Sequence, residues 1–191
     1  MHKIRKAMET RDAGNQLAGL IQVDDAFFKS GVNKGGDKRG RGTNKVPVIV
    51  MAAVKDEAIT FAKMEVAEDV GSDAIKSVLG VHVAPGQTVR SDGFPAYNVV
   101  KDIGLTHDKQ IVYPKHGAPR HDILKWVNIL VSNAKAFILG TYHGVQKKHL
   151  QRYLDEFCYR FNRRFWPGQA FDRLLLACSR SGPITYAELR G

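Results

Sequence analysis

Two hydrophobic periods divide the chain. In the first half, short apolar runs alternate with turn residues. The segment Leu20-Ile21-Gln22-Val23-Asp24-Asp25-Ala26-Phe27-Phe28 reads as a strand that carries acids into an apolar context. Residues 46–54 are almost continuously apolar, as a central strand buried on both faces would be. A turn at Lys55-Asp56-Glu57 leads to a third strand over 58–66, so the three form an antiparallel meander. Residues 73–79 fit a short helix capped by Ser72. After Pro85-Gly86, residues 87–91 fit a fourth strand that stops at Asp92-Gly93, 94–103 a helix, and 110–113 a fifth strand. From there the period becomes helical. Ile123, Val127, Leu130, Val131, Ala134 and Ile138 share one face of a helix over 122–139, and Leu150, Tyr153, Leu154, Phe157, Cys158 and Phe161 repeat the spacing. A third helix is expected over 169–179. The polar stretch 1–18 reads as a helix or frayed lead-in ending near Gly19. The order predicts a mixed α/β fold.

Charge adds a partner class. The 191 residues hold 29 Lys+Arg against 19 Asp+Glu, a net charge of +10, which favours a polyanion such as nucleic acid. Part of the excess sits in the glycine-rich stretch 33–45, a basic loop carrying Lys34, Lys38, Arg39, Arg41 and Lys45. More decorates the helical region, at Lys147, Lys148, Arg152, Arg160, Arg163 and Arg164. At 43% hydrophobic and 25% charged, the chain is neither a disordered tail nor a fibre. Its longest apolar run is far short of a membrane span, and no apolar segment of signal-peptide type follows the basic N-terminus. Cys158 and Cys178 lie far apart in apolar surroundings, so buried thiols in a reducing compartment are expected, with no structural zinc.

Two acids carry the candidate chemistry. Asp24 lies in the first strand and Asp92 at the end of the fourth. If those strands are neighbours, the carboxylates converge at one edge of the sheet, and divalent cations relieve their repulsion. Two such ions activate a nucleophile and stabilise the leaving oxygen of a phosphodiester. Read singly, each acid also fits a turn or strand end. Asn128 follows Asp92 after 35 intervening residues, inside the first C-terminal helix. Lys135 lies seven residues further, nearly two turns on, with Ser132 between them on the same side. Such a stripe also suits a solvated helix face.

The chain resembles the DDE transposases of bacterial insertion sequences, which have a ribonuclease-H-like fold, and within them the IS fifteen-ninety-five (ISXO-two-like) group. The likeness runs from about Leu20 to Leu176. It is carried by Ile21–Phe28, Ser91-Asp92-Gly93-Phe94-Pro95-Ala96-Tyr97, Trp126–Lys135, Leu139-Gly140-Thr141-Tyr142-His143-Gly144-Val145 and Tyr153–Arg164. The resemblance implies a mixed five-stranded sheet, three antiparallel strands followed by two parallel additions, with flanking helices and a helical C-terminal region. It implies a catalytic and metal-binding set of Asp24, Asp92 and Asn128 with Lys135, and two Mg²⁺ or Mn²⁺ ions. Asp24 then bridges both ions, Asp92 holds one, Asn128 offers a neutral amide oxygen, and Lys135 positions a phosphate. The implied activity is cleavage of DNA at transposon ends, then attack of the freed 3′-hydroxyl on target DNA. A homodimer or higher oligomer in synapsis and a cytoplasmic, nucleoid-associated location in a bacterium follow from the same resemblance.

Two departures qualify the likeness. Asp24-Asp25 replaces the family's usual Asp-Glu pair. The upstream zinc ribbon of full-length members has no counterpart here, so the chain reads as a catalytic domain alone, with a lead-in over 1–19, a core over 20–145 and a helical extension over 146–191. Two other readings stay open: a remnant that binds DNA without cutting it, and a ribonuclease-H-like nuclease acting on RNA–DNA hybrid. His116 and His121 span a short loop and suit either a metal or a plain loop. His143 suits a cap or a site-lining role, Tyr97 packing or base stacking. Arg160, Arg163 and Arg164 suit either DNA contact or surface pairing with Asp155 and Glu156.

Overall fold

The computed structural model describes residues 1–29, 45–111 and 123–190. Strands β1 (Leu20–Phe28), β2 (Val46–Lys55), β3 (Ala58–Val66), β4 (Thr88–Ser91) and β5 (Thr106–Lys109) form one sheet in the order β3-β2-β1-β4-β5. β1, β2 and β3 pair antiparallel, while β4 lies parallel to β1 and β5 parallel to β4. This is the ribonuclease-H-like arrangement expected from the sequence. β2 is buried along most of its length because both faces of the sheet are covered. Asp56 and Glu57 both take positive φ, 48° and 54°, which matches the twist of the β2–β3 hairpin.

Alternation in β1 sorts its side chains. Ile21 and Val23 join Ile49, Met51, Ile75, Leu79, Val89 and Tyr97 on the face covered by helix α2 (Ser72–His82) and the 3₁₀ helix Pro95–Ile103. Ala26 and Phe28 join Val48, Val50, Leu130, Ala134 and Leu154 on the face covered by α3 (Lys125–Tyr142) and α4 (Leu150–Asn162). At the N-terminus, α1 (His2–Ala13) docks on α4 and on α5 (Ala170–Arg180); the short α6 (Tyr186–Arg190) follows. The lead-in is thus a packed helix. Arg5 is buried within it and its Nε donates to Glu156 Oε2 at 2.7 Å.

Several local expectations shift. The fifth strand lies at Thr106–Lys109, earlier than the expected 110–113, of which Val112 and Tyr113 fall outside the described residues. Its sequence Thr-His-Asp-Lys lacks an apolar signal; pairing with β4 fixes it, from Thr88↔Thr106 to Ser91↔Lys109, with an Arg90–Asp108 ion pair at 2.7 Å. Ser72 is the first helical residue of α2 rather than its cap: Gly71 holds that position and its N–H donates to Asp69 Oδ1. α3 is expected from 122, but that residue is outside the described set, and the helix runs on to Tyr142. Cys158 is buried as expected, whereas Cys178 is half-buried.

Candidate active site

The register of the central parallel pair decides where the two acids fall. Leu20↔Thr88, Ile21↔Val89 and Gln22↔Arg90 are aligned. Continued two residues along, the same register sets Asp24 across from Asp92, one residue past the end of β4. Neighbouring strands lie about 4.8 Å apart. Alternation places Asp24 with Gln22, Ala26 and Phe28, the last two on the α3-covered face. Each carboxylate is oriented by a backbone amide close ahead: Asp25 N–H donates to Asp24 Oδ1 at 2.8 Å, and Phe94 N–H to Asp92 Oδ1 at 3.0 Å. Ser91 is fully buried; its hydroxyl donates to the Asp92 carbonyl at 3.1 Å and lies 2.8 Å from His107 Nε2. Burial, with Lys101 and Lys109, lowers the His107 pKa.

α3 crosses above these strands. Trp126 N–H donates to Gln22 Oε1 at 3.1 Å, and Lys135 Nζ lies 5.4 Å from the centre of the Phe28 ring. The helix therefore runs along β1, from Gln22 towards Phe28, with Asp24 between those contacts in the strand and Asn128 between them in the helix. Asn128 and Lys135, seven residues apart, share a side of α3 to within about 20°, and both are exposed to solvent. Partial desolvation against the neighbouring side chains, and secondly the charge of Lys45, pushes the Lys135 ammonium below its usual pKa although the residue as a whole stays open to solvent.

Other expected residues separate by position. Lys34, Lys38, Arg39 and Arg41, with His116 and His121, lie outside the described residues. Lys147 and Lys148 are exposed just ahead of α4. Gln151 Nε2 donates to the Met64 carbonyl; Met64 pairs with Val50, and Val50 with Asp24. That chain of pairings sets the start of α4 level with the acids. The far end of α4 is level with the opposite end of the sheet, where Arg164 donates to the Ile59 carbonyl at 2.6 Å. Arg164 also donates to the Phe161 carbonyl. Arg163 is spent inside the fold: its guanidinium grips both oxygens of Asp12, at 2.6 and 2.9 Å. Arg160 is exposed and 3.5 Å from Glu156. His143 ends α3 in the left-handed conformation, donating its N–H to Leu139, and Tyr97 is core. Sequence reasoning passed over Gln22 and His107; a buried polar residue two positions before Asp24 was the available signal for the first.

Two acids at facing positions of neighbouring strands, beside a helix carrying an amide and an ammonium, offer hard oxygen donors of the kind that suit divalent cations. Among the described residues no cluster of three or more His, Cys, Asp or Glu is placed to hold a metal. The sequence of residues 16–162 matches the ISXO2-like transposase domain. The chain belongs to that family, and it is a DDE-type transposase domain, a polynucleotidyl transferase that acts on DNA. No curated protein matches it. Among solved structures it is similar to the catalytic core domain of BIV integrase, at 13% identity over 77% of this chain and 85% of that one, with a TM-score of 0.48. It is also similar to a pre-cleavage Mos1 transpososome, at 11% identity over 97% of this chain and 63% of that one, TM-score 0.39, and to a Mos1 mariner paired end complex with Mn, at 13% identity, 93% and 61% coverage, TM-score 0.35. The chain spans a little over three fifths of those Mos1 chains. No helix among the described residues is long and apolar enough to cross a membrane.

Proposed function

We propose that Asp24, Asp92 and Asn128 form the metal-binding set of this transposase domain, with Lys135 as the phosphate-positioning cation. The observation that supports it is the β1–β4 register, which brings two acids 68 positions apart in sequence onto neighbouring strands. Carboxylate and amide oxygens suit Mg²⁺ or Mn²⁺, and Asp24, Asp92 and Asn128 would hold one or two such ions. A bound divalent cation there polarises the phosphodiester and activates the attacking oxygen.

The chain's own residues do the rest. Asp24 and Asp92 are aimed by the amides of Asp25 and Phe94, so little reorganisation is needed when a cation arrives. Lys135 projects from the same side of α3 as Asn128 and offers a point charge to a backbone phosphate. Lys45, Lys147 and Lys148 extend that positive field along the DNA, and the charge of Lys34, Lys38, Arg39 and Arg41 makes them further candidates for phosphate contact. Of the remaining candidates, Arg160 stays available to DNA. Arg163 and Arg164 already hold internal acceptors. The reaction is cleavage at transposon ends followed by strand transfer into target DNA, carried out in a homodimeric or larger synapse in the bacterial cytoplasm at the nucleoid. The core over 20–145 and the helices after it act as one catalytic domain.

The test is to incubate the protein with Mn²⁺ and element-end DNA beside Asp24→Ala. The wild type is expected to nick and the variant to bind without nicking. Binding by both with nicking by neither would identify a DNA-binding remnant, which the neutral Asn128 favours. Cleavage confined to an RNA–DNA hybrid would identify a ribonuclease-type activity.

A further inference from the structure

The first turn of α3 has an unusual cap. A helix leaves its first N–H groups without intrahelical partners, and a side-chain oxygen just before the helix commonly accepts from the second or third of them. The residue in that place is Leu124, which has no such oxygen. The job is done from the middle of the sheet. Gln22 Oε1 accepts the N–H of Trp126, the second helical residue, from 104 positions away. Gln22 is 4% exposed, so the bond is shielded from water.

That bond joins the two elements carrying the proposed ligands. Gln22 stands two residues before Asp24, on the same face of β1. Trp126 stands two residues before Asn128, on the same turn of α3. One hydrogen bond therefore fixes the height and rotation of the amide-bearing helix against the acid-bearing strand. The apolar contacts of Val127, Leu130 and Ala134 hold α3 to the sheet, but they are non-directional and tolerate sliding. A directional bond to a buried acceptor sets the register. An Asn ligand needs this more than a Glu would, because a neutral amide contributes less attraction to a cation and more depends on its position.

Resting on the proposed metal-binding set, we infer that Gln22 is a positioning residue: it caps α3 from β1 and so holds Asn128 and Lys135 in place over Asp24 and Asp92. Supporting groups of this kind commonly change metal affinity by about 10- to 100-fold.

Gln22→Met removes the acceptor at similar length, and Gln22→Glu keeps one. Two readouts are taken, neither needing activity: Mn²⁺ binding followed by electron paramagnetic resonance, and amide hydrogen exchange across residues 125–128. Gln22→Met is expected to weaken Mn²⁺ binding about tenfold and to lose exchange protection in the first turn of α3. Gln22→Glu is expected to keep that protection. Unchanged Mn²⁺ binding and unchanged protection in Gln22→Met would overturn the inference. So would lost α3 protection in Gln22→Glu, an arm that remains readable if the Met variant does not fold. Asp24→Ala separates the two levels: if it leaves Mn²⁺ binding intact, the metal set itself is wrong, whereas the exchange data still report on the Gln22 cap.

Discussion

At the scale of single residues, Asp155 is the outlying group. It borders a cavity of about 230 Å³ between α1, β3 and α4, with Lys63, Glu65, His82 and Glu9 also on its wall. Its Oδ1 accepts from Gln151 Nε2 at 2.9 Å, while its buried Oδ2 has no hydrogen-bond partner among the described residues. Burial pushes the carboxyl up to about 7, Gln151 and Lys6 opposing and Glu9 and Glu65 adding. The folded protein thus keeps this proton to near neutrality, while the unfolded chain releases it near pH 4. The group's contribution to stability is complete below about pH 4 and is lost as pH rises through about 7. Asp155→Asn is expected to lie progressively above wild type in urea midpoint as pH goes from 5 to 8. A constant gap would show that Asp155 does not titrate in that range.

Residues of this kind were hidden from the sequence. Asp155 sits in Tyr153-Leu154-Asp155-Glu156-Phe157, where both acids suited surface pairing with arginines that equally suited DNA contact; the fold half-buries Asp155 and buries Glu156, which pairs with Arg5 as well as with Arg160. Arg163 was equally opaque, because its partner Asp12 lies 151 positions away. Asp24 and Asp92 were legible as candidates because charge in an apolar strand and Asp at a strand end are both visible locally. What no local pattern contained was the register that sets them opposite one another.

Among elements, β3 shows how a sheet edge is finished. Its outer side meets amide side chains of α4. Asn162 accepts from the Ala62 N–H at 2.8 Å and donates to the Ala62 carbonyl at 3.0 Å. Gln151 does the same for the Val66 N–H at 2.7 Å and the Met64 carbonyl at 2.9 Å. Asn162 is 6% exposed, so its loss leaves buried backbone groups unpaired. Asn162→Ala is expected to lower stability by about 2 to 4 kcal/mol, roughly two hydrogen bonds with their desolvation, read as a shifted denaturant midpoint at unchanged slope. A change under ~0.5 kcal/mol would mean that water replaces the amide. The strands β1, β2 and β3 and helices α3 and α4 were readable from periodicity because each buries an apolar face. β5 was not, since four polar residues become a strand only by pairing with β4.

For the whole molecule, α1 is part of the packed fold although it precedes the family match, which starts at residue 16. Arg5 reaches through to Glu156, which also accepts from the Tyr142 hydroxyl at 3.0 Å, and its guanidinium lies 3.9 Å from the centre of the Tyr153 ring. Removing one partner strands the other. Glu156→Ala is expected to cost about 3 to 5 kcal/mol, with a correspondingly lower melting temperature. The double replacement Arg5→Met, Glu156→Met is expected to cost less than that single change. If the double variant is the less stable of the two, the ion pair contributes net attraction beyond its desolvation. Composition and charge gave no hint of this docking, because α1 is polar in mean character and its buried residues, Arg5, Ala7 and Met8, make a narrow stripe.

The amide-capped margin of β3 bears on how copies of this protein meet. A strand from another molecule needs free N–H and C=O groups to pair with, and both groups of Ala62, the Met64 carbonyl and the Val66 N–H are already taken by the chain's own helix. Growth of the sheet from one subunit into the next is closed off along that margin. In the proposed synapse, copies would meet at that margin through helix surfaces or through the DNA itself, and would separate again without breaking a shared sheet.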